Sequence, residues 1–173
     1  MKNPVVWLAI PLSLSAAAIV RSAQNDERSA VLAFSTMAGV DGAFIQEENA
    51  LRGIEGDELP WEVAGAKGRL EENGHLVIDV HGLVFANSDI VPVELRGKND
   101  EACFRAVVSS LTEDESGRVV VSNVTTDCFA ADEEGNCEIN ALVKLPEPCI
   151  APIVFVIAGS EAKWFAVTGL ESD

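Results

Sequence analysis

Asp79 and His81 stand one residue apart in the run 75–85, whose apolar side chains alternate. On a β-strand such residues share a face with Cα atoms about 6.6 Å apart, near enough for a carboxylate and an imidazole to hold one zinc ion. His75, six residues from His81, lies ~20 Å away along the same strand and cannot join them. Two ligands without a Cys/His spacing motif leave a zinc set incomplete, so the preferred reading of this face is a solvated polar surface. Acidic loops offer a second chemistry. Glu55, Asp57 and Glu58, then Glu113, Asp114 and Glu115, then Asp132, Glu133 and Glu134 each form a cluster. Calcium takes six to eight oxygens, which two such loops meeting at one end of a domain could supply. In the third loop the candidate ligands are Asp132, Glu134 and Asn136. The alternating acidic positions of a twelve-residue calcium loop are missing there, and a solvated turn is the ordinary reading.

Catalytic patterns are weaker. Ser160-Glu-Ala-Lys163 matches a Ser-x-x-Lys nucleophile string, and Val167-Thr168-Gly169 loosely resembles Lys-Thr-Gly. The enzymes that use these place the serine on a helix and need a Ser-Asp-Asn element as well. Here Ser160 falls in a turn between strands and the third element is missing. With only two histidines and no Gly-x-Ser-x-Gly, a Ser/His/Asp triad has little support. Sugar-binding sandwiches usually offer aromatic platforms, yet Trp61 and Trp164 sit in apolar runs and the chain has no tyrosine. Both tryptophans read as core.

The elements that must position these residues are strands. Runs 61–71 and 75–85 flank Glu72-Asn73-Gly74, a hairpin turn. Leu76, Ile78 and Val80 fall on one face of the second run, and His75, Asp79 and His81 on the other. Runs 104–111 and 118–125 flank a second turn, and 30–35, 138–145, 153–158 and 163–168 bring the total to about eight. Regularly spaced short strands predict an all-β protein, an antiparallel sandwich or flattened barrel. One segment departs from the period of two. Residues 42–52 place Phe44, Glu48 and Leu51 at helical spacing, with Glu48–Arg52 as an i,i+4 pair and a stop at Gly53. A short helix near 43–52 or an extended excursion fits it.

Residues 1–23 read as a signal peptide: Lys2 is the basic n-region, 5–20 an apolar run, and small residues surround a cut after Ser22, or alternatively after Ala18. That leaves 24–173 as a single β-domain, exported to the periplasm, the cell surface or beyond. No later stretch is long enough to span a bilayer. All 28 acidic residues follow the signal, and losing Lys2 and Arg21 takes the formal charge from −16 to −18. Lys and Arg do not cluster, which argues against nucleic acid as a partner. Asn123-Val-Thr125 is an N-glycosylation sequon, relevant only in a eukaryotic secretory route.

Four cysteines in an exported chain favour oxidation. If the strands beginning near 104, 118 and 138 form a meander, Cys103, Cys128 and Cys137 gather at one end of it. Cys149 then lies a strand length away, ~26 Å for eight residues, beyond the ~7 Å a bridge tolerates. Cys128–Cys137, closing the acidic loop, is the preferred bridge. Cys103–Cys128 competes, and full pairing of all four through an unforeseen crossover stays open.

Gly-His-Leu-Val-Ile-Asp-Val-His-Gly-Leu-Val (74–84), Phe-Arg-Ala-Val-Val-Ser (104–109), Pro-Cys-Ile-Ala-Pro-Ile-Val-Phe-Val (148–156) and Trp-Phe-Ala-Val-Thr-Gly (164–169) together resemble a group of exported, functionally uncharacterised β-rich bacterial proteins. The resemblance covers residues 60–169. Its motifs concern packing and turns, so it implies fold and export but no activity. Members of that group carry a cysteine where this chain has Ser110, a partner for Cys149 that is missing here. The expectation is a non-enzymatic binding or structural module. The alternative is a metal-dependent activity, or calcium or zinc binding, through Asp79 and His81 or the acidic loops.

Overall fold

The structure, a computed structural model, describes residues 30–45 and 49–169. The expected signal peptide, residues 1–23, lies outside the described residues. Eleven strands form two sheets: β1 (Ala30–Phe34), β2 (Ala38–Gly39), β3 (Glu55–Gly56), β4 (Trp61–Glu71), β5 (His75–Phe85), β6 (Cys103–Glu113), β7 (Val119–Thr125), β8 (Phe129–Ala130), β9 (Cys137–Leu142), β10 (Ile150–Ala158) and β11 (Lys163–Val167). The first sheet runs β1-β4-β5-β9. The second runs β2-β11-β10-β6-β7, with β3 added to β11 and β8 to β6. All pairings are antiparallel except β3 with β11. The eight expected strands are present, joined by three of two residues each, and the sheets form an open sandwich rather than a barrel.

Alternation explains the inner face. Leu76, Ile78 and Val80 on β5 are fully enclosed while His75, Asp79 and His81 turn outward. At Gly82 the phase changes: φ is +60°, a left-handed conformation that glycine adopts without strain, and Leu83 and Phe85 then point inward. Trp61 of the first sheet stacks on Phe165 of the second, ring centroids 3.8 Å apart and 16° between planes, and Phe104 meets the same ring edge-on. Both tryptophans are core residues, as expected.

Successive strand residues face opposite ways, so with Phe165 inside, Trp164 points to the outer face of the second sheet. It is nevertheless fully buried. Residues 40–45 and 49–54 cover it, setting the Phe44 ring 6.0 Å from Trp164 and packing Leu51 against the core. Arg52 fastens this cover, its Nη2 donating to the Ala151 carbonyl at 3.2 Å while Asn123 Nδ2 donates to its own carbonyl at 3.1 Å. Among the described residues of 43–52, the expected helix is replaced by a 3-10 turn, Gly42–Phe44, capped by Asp41. Beyond it, Leu51 and Ile54 form a bridge around Arg52 and Gly53, both with positive φ. Packing of Phe44 and Leu51 against the core outweighs the helical spacing. Glu48, proposed as the partner of Arg52, lies outside the described residues.

Two further expectations are corrected. Strands near 104, 118 and 138 do not form a meander, because β9 leaves β7 and pairs with β5 in the other sheet. The disulfide is Cys103–Cys128, not Cys128–Cys137. After β7 the chain turns back and β8 pairs with the start of β6, Phe129 opposite Phe104, which brings the Cys103 and Cys128 Cα atoms to 5.6 Å. Cys137 opens β9 as a buried thiol, and Cys149 is a half-buried one. Cys149 does lie far from Cys103, because β10 runs antiparallel to β6 and begins beside Leu111.

Candidate functional site

Outward residues of β4 and β5 form a charged ladder set by register. Lys67 lies opposite Asp79, and Arg69 opposite Val77. Lys67 Nζ approaches Asp79 Oδ2 at 3.1 Å and His81 Nε2 approaches Oδ1 at 3.0 Å. Hydrogen bonding from Lys67, with His81 adding its own bond and charge, holds the Asp79 carboxyl below its ordinary value. His75 turns to the other neighbour: its Nε2 lies 3.0 Å from Asn140 Oδ1, and its Nδ1 is 3.7 Å from Glu71. Asp79 and His81 do share a face and touch. Both carboxylate oxygens of Asp79 are committed, so a zinc ion would have to displace Lys67. The arrangement is an ion-paired, solvated strand face.

Between this ladder and β1 lies a groove of about 380 Å³, lined by Phe34, Lys67, Gly68, Arg69, Glu71, His75, Val77 and Asp79. Gly68 makes room for it, since a Cβ there would strike the Phe34 ring. Phe34 and Val77 give it apolar surface. Arg69 is its unusual member. Its Nε and Nη2 are both enclosed, with no hydrogen-bond partner among the described residues. Glu71 Oε1 lies 3.7 Å from Nε, beyond hydrogen-bonding reach. These two nitrogens form the planar fork that guanidinium groups present to carboxylates. Arg69 drew no attention in the sequence. The signal was the alternation Lys67-x-Arg69-x-Glu71, but only the register of β4 with β5 and β1 shows that it edges a groove.

The acidic loops divide. Asp132 accepts from Asn136 N at 2.8 Å and from Asn136 Nδ2 at 3.0 Å, which lowers its pKa, the backbone bond being the larger cause. Asn136 Oδ1 in turn accepts from Gly82 N, and Gly135 O from Leu83 N. The loop thus ties β9 to the phase change in β5, and Asp132 and Asn136 spend their oxygens on that structural task; Glu134 is exposed and its backbone adds a further bond to Asp132. Asn99, also missed in the sequence, is buried beneath it and donates to the Glu101 and Asp132 carbonyls at 2.8 Å each. Asp114 likewise closes its own turn, bonding Ser116 and Arg118.

At the same end as Asn99, Asp57, Glu58 and Glu161 converge, their ligand atoms within 4.8 Å of one another. Glu161 was not foreseen, because it lies 104 positions beyond Asp57 and only the parallel β3–β11 pairing brings them together. Asp57 is buried and accepts from Trp61 Nε1 at 2.8 Å. Lys163 bonds Glu58 and lies 3.7 Å from Glu161, so one ammonium offsets part of the charge of three carboxylates. Nearby, Asp100 has its pKa raised by burial first and then by Glu101 and Asp57. Ser160 Oγ donates to Glu101 at 2.7 Å, so Ser160 and Lys163 serve different carboxylates and do not form a nucleophile pair.

No family model, no curated protein and no solved structure matches this chain.

Proposed function

We propose that the protein is an exported, non-enzymatic β-sandwich that works as a binding module outside the cytoplasm, with the Phe34–Arg69–His75 groove as its ligand site. The observation that carries this reading is the unfilled Arg69 fork beside an apolar wall. Two enclosed guanidinium nitrogens without acceptors are costly, and a ligand carboxylate that draws the Arg69 side chain into the groove would satisfy both at once. Phe34 and Val77 suit an apolar body attached to that carboxylate. The Cys103–Cys128 bridge supports an oxidising compartment, and the sequence pattern at residues 1–23 supports export. The formal charge of −16 weighs against nucleic acid.

Titration with benzoate and hexanoate, followed by the Arg69 Nε–H resonance in NMR spectra, tests the site. Saturable shifts that vanish in Arg69→Gln and are absent with benzyl alcohol are expected. Equal shifts from the alcohol, or none from either acid, would reject the groove. A second reading, cation binding, is favoured by the convergence of Asp57, Glu58 and Glu161. A calcium-dependent rise in melting temperature, lost in Glu161→Gln and reversed by chelator, would support it.

A further inference from the structure

Among the described residues, strand β7 ends the second sheet, paired with β6 on one side only. Its ladder shows which backbone groups are left over. Thr126 N bonds Ala106 O, and Asp114 N bonds Arg118 O, so the even-numbered residues of β7 aim their backbone groups at β6. In an antiparallel pair the groups alternate. The N–H and C=O of Val119, Val121, Asn123 and Thr125 therefore point away from the sheet, and no described residue bonds to them. The devices that usually protect such an edge are missing: Val119–Thr125 holds no proline, no charge and no bulge. Val119 and Val121 are instead 63% and 45% exposed.

We infer that β7 is an association edge and that its occupant is β7 of a second copy, run antiparallel about a two-fold axis through Ser122. Three features select a second copy. The strand is centred on Ser122, so this register opposes Val121 to Asn123 and Val119 to Thr125, and every outward N–H and C=O is used. The ends of the strand carry opposite charge, Arg118 before it, whose guanidinium also bonds Asp114 at 2.9 Å, and Asp127 after it. Antiparallel pairing sets each Arg118 opposite the partner copy's Thr126, one residue from its Asp127. Exposed Val119 then gains the β-branched Thr125 as a cross-strand neighbour, a pairing that stabilises such ladders, and Val121 gains Asn123.

The measurement is the mass in solution of the purified chain, and of two cysteine variants in a Cys149→Ser background. Wild type should show twice the protomer mass. Val121→Pro should return the protomer mass with an unchanged circular dichroism spectrum, because the lost N–H is the outward one and proline is tolerated there. On mild oxidation Ser122→Cys should give a covalent dimer linked at position 122, since residues facing across a non-hydrogen-bonded pair have Cα atoms ~4.5 Å apart, within disulfide range. Val120→Cys should not cross-link to itself. Arg118→Glu should dissociate the dimer, and adding Asp127→Arg should restore it. A wild-type protein of protomer mass overturns the inference. So does a dimer that survives Val121→Pro, or one that cross-links equally at positions 120 and 122.

Discussion

Removing the Cys103–Cys128 bridge tests how the fold is held at the end of the sandwich where the acidic loops gather. The cysteines are 25 residues apart in sequence. In the chain-entropy model, tying a loop of that length in the unfolded state contributes about 3.5 kcal/mol. The native state should lose little, because Thr126 Oγ1 receives the Ala106 N–H at 3.0 Å and β8 pairs with β6 on either flank of the bridge. The whole effect should then appear as a less stable protein with the same fold. For a domain of this size, 3.5 kcal/mol corresponds to a fall in melting temperature of roughly 10 °C. Urea titrations of wild type with and without reductant, beside Cys103→Ser/Cys128→Ser, measure it. The denaturant slope should rise as well, since an uncross-linked unfolded chain exposes more surface. Cys137→Ser supplies the control, with no loop to open. An unchanged midpoint on reduction would refute the argument, and so would peptide mapping that finds Cys128 joined to Cys137.

The strand face of β5 predicts a sharp contrast between neighbours. Val80→Asp places a carboxylate at a position only 1% exposed and should unfold the domain or cost several kcal/mol. His81→Ala should change stability by less than about 0.5 kcal/mol, as exposed positions usually do; a large loss restored by zinc would reverse the reading of that face. Asp114 makes an acid-sensitive contribution. Hydrogen bonds from Ser116 first, and from Arg118, lower its pKa to about 2 in the folded protein, below the unfolded value. Its stabilisation is therefore complete above the unfolded pKa and is lost as pH falls toward 2. Urea midpoints for Asp114→Asn should be flatter than wild type over that window, and parallel curves would contradict this. Burial raises the Cys137 thiol to about 11, whereas Cys149 is half-exposed. At pH 8 a thiol reagent should modify Cys149 rapidly and Cys137 only after denaturation, and rapid labelling of both would show that β9 opens readily.

Much of this was legible along the chain. The period of two in 75–85 placed Leu76, Ile78 and Val80 inside and Asp79 and His81 outside, and Glu72-Asn73-Gly74 marked the hairpin. These are local facts: side-chain direction follows from the strand itself, and a tight turn needs only its own residues. The reading failed where distant segments compete. Leu51 and Phe44 have helical spacing, but the outer face of the second sheet offered them a larger apolar surface than a lone helix would have.

Fold class, the eight longer strands and the burial phase of residues 75–81 were determined by the sequence alone, because alternation is a property of each segment by itself. Sheet membership was decided only by tertiary structure. Whether β9 joins β7 or β5 depends on the energy of one strand against another, which no single segment encodes. That one choice moved Cys137 into the other sheet and left Cys128 beside Cys103. The same non-local pairing set Lys67 against Asp79 and Arg69 against Val77, brought Glu161 to Asp57, and left β7 as an open edge. The groove and the edge exist only between strands, and register is what makes them.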